Sequence, residues 1–332
     1  MGAARADQER SALPPWDAKI GSYIEKLNSL KEGEGAVGKL IACGRSAIEP
    51  LRQYLLEGRP SVVYHSRRWA VEALAALGAK DLLLEYLKQK KDIADLALRL
   101  GEEAVESAAA RELVRWPGEE VYQVLLGIAQ DRCLPGALEA LGEFKRPEAV
   151  PHLVKALEDD VCRRAAEDAL RKIGPPAEPD LIRAAVTPWP SRDAENPLSY
   201  LRRRSAVGLL AEIGVSAYQW RLLRPLLNDA NAEMLVAAFK TAAAVGAAKD
   251  MASAGRRLLK VLTNADWYVK REIENALVDF FDAVKPIVER DIARRYRGAD
   301  AESIIDPVLA ILLRVKRRAE RAPRTDKKGS HG

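Results

Sequence analysis

Asp266-Trp267-Tyr268, followed by Lys270 and Arg271, is the only place in this chain where a carboxylate, two aromatic rings and cations coincide. A base-removing enzyme needs such a group: rings against the damaged nucleotide, a carboxylate against developing positive charge, cations on phosphates. The same residues have a plainer use, since Asn264 or Asp266 is what a helix N-cap requires here and the rings can pack in the core. A second constellation is cationic. Arg67/Arg68, Arg163/Arg164, Arg203/Arg204 and Lys270/Arg271 occupy equivalent positions in self-similar segments. Stacked in space they would form a ladder able to track a phosphate backbone or an acidic peptide. One member of each pair can instead bond a nearby carboxylate, and Asp159 and Asp160 stand beside Arg163. Arg202-Arg203-Arg204 has no acidic residue closer than Glu195, which makes it the preferred binding subset, with Arg68 and Arg164 as further candidates. A third candidate is the segment 187–199, where three prolines and Asn196 bar regular structure around Trp189 and Arg192. Trp189 there either serves a binding face or covers the apolar seam between neighbouring segments.

Other chemistries find little footing. Cys43, Cys133 and Cys162 are odd in number and far apart, so neither a disulfide framework nor a CxxC metal pair is expected. His65, His152 and His331 have no spacing that would let two share a metal with a thiol or carboxylate. Glu102-Glu103 and Asp159-Asp160 are adjacent and point to different sides of a helix. There is no GxGxxG, no P-loop and no Ser-His-Asp set with arguable spacing. The expectation is a non-catalytic protein with no metal and no cofactor. The longest apolar stretch, Ile304 to Leu313, is interrupted by Asp306 and is too short to span a bilayer. A reduced, cytoplasmic setting is the default.

The elements that must position these residues are legible as repeats. Residues 67–78 read RRWAVEALAALG, 163–174 read RRAAEDALRKIG and 203–214 read RRSAVGLLAEIG. A copy at 235–246 loses the arginines, one at 270–281 loses the glycine, and those ending at Gly142 and spanning 106–118 are weaker. Gly142, Gly174, Gly214 and Gly246 are separated by 32, 40 and 32 residues, the period of a solenoid built from helix pairs. Ala165, Ala169, Leu170 and Ile173 make one apolar stripe, and the following glycine is expected to end the helix in the left-handed conformation. A second helix follows each glycine, with stripes such as Val150, Leu153, Val154, Leu157 and Leu222, Leu223, Leu226, Leu227. Prolines 50, 151, 179, 225 and 286 are expected near the starts of these helices. The extra 8 residues of the long interval lie in the 187–199 segment, and insertions in solenoids tend to lie on one face.

The Arg-Arg-x-Ala-Ala-x-x-Ala-Leu-x-x-Ile-Gly wording, with Glu-Ala-Val-Pro-His-Leu and Ala-Ile-Glu-Pro-Leu segments, resembles bacterial HEAT repeats of the phycobilisome-lyase type over about residues 36–290. The resemblance implies an all-α, right-handed solenoid of about seven armadillo-like helix pairs. It also implies that one arginine of each pair is structural. That repeat type occurs in chromophore lyase subunits and in scaffolds, and a more distant HEAT-like group removes alkylated bases from DNA. Residues 1–16 are expected to be a flexible leader, 17–318 a single solenoid closed by a capping helix from about Ala301, and 319–332 a basic disordered tail.

Charge refines the choice of partner. The 332 residues carry a net +5, but residues 314–332 alone carry +6, so the body is near neutral and the basicity lies at one end. Within the body, residues 92–120 hold eight acidic residues against three arginines, and 163–224 hold eleven basic against seven acidic. The reading is a protein-binding scaffold using the concave face of the solenoid. Nucleic-acid binding or repair through the Arg ladder or the basic tail is the alternative, and a chromophore lyase subunit a weaker one.

Overall fold

The computed structural model describes residues 17–58, 63–89, 91–189, 195–297 and 306–321. The expected leader, Arg192 and the end of the tail lie outside the described residues. Among those described there are eighteen α-helices and no strand, and no helix is long and apolar enough to cross a membrane. The chain divides into two compact units, Met1–Ile173 and Gly174–Gly332.

The first unit contains α1 (Ala18–Lys26), α2 (Gly33–Ala42), α3 (Ile48–Leu56), α4 (His65–Ala76), α5 (Lys80–Lys88), α6 (Leu96–Glu112), α7 (Glu119–Asp131), α8 (Pro135–Phe144), α9 (Val150–Ala156) and α10 (Arg163–Ile173). Odd-numbered helices stack on odd and even on even, so the unit has two layers with the core between them. The stripe expected in α10 is buried in full, and Leu51, Leu55, Leu74, Leu83, Tyr86 and Leu125 are completely enclosed. Each large apolar side chain so enclosed contributes roughly 1.5–3 kcal/mol.

The second unit contains α11 (Glu178–Val186), α12 (Pro197–Ile213), α13 (Ala217–Leu223), α14 (Ala232–Ala244), α15 (Ala248–Val261), α16 (Trp267–Asp279), α17 (Phe281–Arg297) and α18 (Pro307–Arg321). Again α12, α14, α16 and α18 pack in succession as one layer. Side chains cap the helix starts where a short polar residue stands: Asn196 on α12, Ser216 in a capping box with Gln219 on α13, Asn231 on α14 and Asp266 on α16. The repeat wording falls on α4, α6, α8, α10, α12, α14 and α16, each followed by a second helix. Helix α18 buries Val308, Ile311, Leu312 and Val315, as expected of a capping helix, and continues through Arg321. Five basic residues of the 314–332 run therefore lie on this helix, and Arg321 does so although it falls within the expected tail.

Several local expectations are corrected. Pro225 does not start a helix but opens a 3-10 turn, Arg224–Asn228, which leaves Leu222 exposed while Leu223, Leu226 and Leu227 are buried. Pro286 lies inside α17. Cys133 and Cys162 form a disulfide. They lie 29 residues apart in sequence, about one repeat, so they sit at the starts of neighbouring helices α8 and α10 with 6.2 Å between their Cα atoms.

Gly78, Gly174, Gly214 and Gly246 have positive φ and end their helices as expected, but Gly142 does not. It is helical, and Lys145 takes the left-handed position three residues later at φ 53°. Gly142 is needed for closeness instead: a Cβ there would lie 2.7 Å from the Cα of Ala169 on α10. Gly142→Ala is expected to destabilise by about 1–3 kcal/mol through overpacking, although alanine favours a helix by about 1 kcal/mol. Gly127→Ala on α7, where nothing lies within 4 Å, is expected to shift the urea midpoint upward. Midpoints moving the same way in both variants would refute the close-approach explanation.

Candidate functional site

The two members of each arginine pair have different duties. Arg67 is buried on α4 and donates to the carbonyl of Leu55 at the end of α3, 2.8 Å away. Arg203 is 1% exposed and does the same with Ala185 O of α11 at 2.8 Å, while also binding Glu195 (2.6 Å) and Asp229. Arg163 bonds Leu157 O at 2.9 Å and Asp160 at 2.6 Å. The first arginine thus satisfies a carbonyl that the preceding helix end leaves open. The second member, one residue on, points away: Arg68, Arg164, Arg204 and Arg271 are all exposed. Only Arg204 among these four has a carboxylate partner among the described residues, Glu233 at 3.5 Å. Arg203→Ala is expected to cost about 2 kcal/mol, because Glu195 and Asp229 lose their partner at a half-wet edge. Arg204→Ala should leave the unfolding midpoint within about 0.5 kcal/mol of wild type. Chemical denaturation of both checks the division of roles.

The preferred subset Arg202-Arg203-Arg204 is therefore not a common surface. Arg202 is buried, donates to Thr187 O at 2.6 Å, and lies 5.0 Å from the centre of the Trp189 ring. Trp189 is exposed at its edge, and its N–H donates to Ser199 Oγ (2.9 Å), which in turn donates to Glu195 (2.7 Å). These contacts tie the described ends of the 187–199 segment to the start of α12.

The Trp267 group lies elsewhere and is open. Asp266 caps α16 by accepting from Val269 N–H at 2.8 Å, so the structural use expected of it holds. The expected core packing of the rings does not: Trp267 is 73% exposed, edge-on to Tyr268 with centroids 6.1 Å apart. It occupies the first position of α16. Trp267, Lys270 and Arg271 share a cavity of about 540 Å3 with Glu274, Arg314 and Arg318. Glu274 accepts from Arg314 at 2.8 Å and Arg318 at 3.0 Å. Burial opposes ionisation of Glu274, but these two guanidinium bonds outweigh it and hold the carboxyl below its usual range. Sequence reasoning placed Trp267, Lys270 and Arg271 together but missed Arg314 and Arg318, which it set on the capping helix without bringing that helix against α16.

Residues 91–171, which span α6 to α10, match the family model for HEAT repeats. That segment is similar to HEAT repeats. No curated protein matches it.

The matched HEAT segment includes the helix whose wording was weakest, and the reason is a reversal of charge. With Leu113, which follows the last residue of α6, aligned to Leu74 of α4, Glu106 stands where Arg67 stands. Glu106 is buried and accepts from Arg132 at 2.7 Å, so an ion pair is kept with its signs exchanged. One turn earlier Glu102, 2% exposed, accepts from Arg67, from Lys91 and from Tyr86 Oη at 2.5 Å. Burial works against the charge on Glu102, yet the bonds from Arg67, Lys91 and Tyr86 lower its pKa overall. Burial pushes the Tyr86 hydroxyl far up and the Lys91 amine down. Lys91, Glu102, Glu106 and Arg132 help wall a cavity of about 730 Å3 between α5, α6 and α7, but its two buried carboxylates already have cationic partners.

Proposed function

We propose that this HEAT-repeat protein is a non-catalytic scaffold that binds another protein through exposed residues of its even-numbered helices. The observation that carries the reading is the split within each arginine pair. The first arginine is spent on the fold, whereas the second, Arg68 and Arg164 in one unit and Arg204 in the other, is held outward at a repeating position, and Arg271 of the Lys270/Arg271 pair is exposed at the equivalent place. Aromatic residues Trp267 and Tyr268 stand exposed at the start of α16, the helix that carries Arg271. Rigid rings among cations are what interface hot spots are made of. The finer resemblance to the phycobilisome-lyase type rests on the wording of the repeats.

The test is crosslinking capture of a stoichiometric partner from native host extract, comparing the wild type with a quadruple Arg68, Arg164, Arg204 and Arg271→Glu variant. Loss of the partner in the variant supports the reading; a partner retained at full yield overturns the role of these residues. A nucleic-acid reading has one observation in its favour, that Arg271 of the ladder and Trp267 share a cleft. It requires duplex binding whose affinity falls steeply with salt, in proportion to the phosphates contacted.

A further inference from the structure

We propose that the cleft between α16 and α18 docks an acidic peptide segment with adjoining apolar residues, its carboxylates taken by Lys270, Arg271, Arg314 and Arg318 and its apolar part by Trp267. This deepens the scaffold reading and rests on it. Four cations line the cleft around a single carboxylate, Glu274. Both guanidinium groups of Arg314 and Arg318 converge on that one side chain, so the cleft keeps an excess of positive charge. They are about half exposed (54% and 50%), which leaves N–H groups turned to solvent and able to take a second carboxylate in forked geometry. Lys270 and Arg271 make no ion pair among the described residues.

The apolar half of the site is as definite. Trp267 is the most exposed large hydrophobic side chain described, and buried Ile311 of α18 shares its cavity. Tryptophan loses little entropy on being covered and offers a large contact area. Its backbone is fixed by the Asp266 cap, and α18 is packed on α16, so the site is formed before any partner arrives.

Charge complementarity selects a peptide over a nucleic-acid strand. Beyond the cleft, toward α14 and α12, the cations are already cancelled: Lys240 pairs with Glu272 at 3.0 Å and Arg204 with Glu233 at 3.5 Å. A strand carries a phosphate at every nucleotide and would run from the cleft onto those carboxylates. A short acidic segment ends where the positive charge ends.

The test is fluorescence anisotropy of the full-length protein with a short fluorescein-labelled peptide of alternating glutamate and leucine. A lysine–leucine counterpart and a labelled oligothymidine are run at the same salt. The acidic peptide should bind, and affinity should fall by about tenfold or more in Trp267→Ala and in Lys270→Glu/Arg271→Glu. These exposed changes should leave the melting curve in place. Unchanged affinity in both variants, no binding by the wild type, or tighter binding of oligothymidine overturns the proposal. The partner-capture experiment separates its failure from failure of the scaffold reading. If wild type and Lys270→Glu/Arg271→Glu capture the same partner equally, the cleft is wrong and the scaffold stands. If the wild type captures none, the scaffold reading itself fails.

Discussion

Replacing Glu102 with Gln is expected to destabilise the first unit by about 3–5 kcal/mol, the cost of leaving a buried charge without its partner. The carboxylate is 2% exposed and gathers Arg67, Lys91 and Tyr86, and Arg67 is itself buried, with only Leu55 O and Tyr86 as other partners. An amide offers one acceptor where two oxygens stood, and turns an N–H2 toward donors. The pH dependence has a definite sign. Since the folded-state pKa of Glu102 lies below its ordinary 4.5, its contribution is complete above 4.5 and is lost as pH falls through the lower folded value. Urea titrations of wild type and Glu102→Gln from neutral to acid pH should therefore converge at the acid end. A variant cost that stays constant across that range would contradict the assignment. The double variant Arg67→Met/Glu102→Leu should recover most of the loss, because removing both charges also removes their desolvation cost. Such a pair specifies how α4 and α6 align more than it adds stability.

Periodicity carried most of the fold. Period, stripe and glycine placement located the repeat helices α4, α8, α10, α12 and α14 and the second helix after each, since each repeat must bury the same face against its neighbour. What escaped was chemistry set by stacking rather than by local sequence. Gly142 has the right spacing for a C-cap glycine, yet the approach of Ala169 from the next repeat decides its role. Glu106 sits at the arginine position, and its partner Arg132 comes from the end of another helix. The signal was present in both cases as an exception to the repeat. For the candidate site, the types of Trp267, Lys270 and Arg271 were informative and Arg202 and Arg203 misleading. Guanidinium groups near helix-end carbonyls are drawn into the fold, and a tripled arginine does not announce which member stays outside. Arg314 and Arg318 could have been found from the apolar stripe of α18, whose register turns them toward α16.

Reducing the Cys133–Cys162 disulfide is expected to lower the stability of the first unit by about 3.5 kcal/mol, the loop-closure value for a segment of this length. The 29-residue separation spans one repeat, so the bond ties the start of α8 to that of α10. In a solenoid each repeat is held only by its neighbours, and terminal repeats open first. The bond forces two repeats to open together and should therefore steepen the transition as well as move it. Cys133→Ser should reproduce the reduced protein and be indifferent to tris(2-carboxyethyl)phosphine, whereas the wild type should shift on its addition. Cys43, the remaining thiol, is partly exposed, so thiol titration of the native protein should report one group, and three after reduction in denaturant. Identical urea midpoints with and without reductant, or three thiols in the native protein, would show that the pair is not bonded in solution. The repeat period would then place the two sulfurs side by side without joining them. Asp159 belongs to the same group, with a carboxylate oxygen within 4.8 Å of both sulfurs. Reduction thus exchanges a neutral crosslink for two thiols beside a carboxylate.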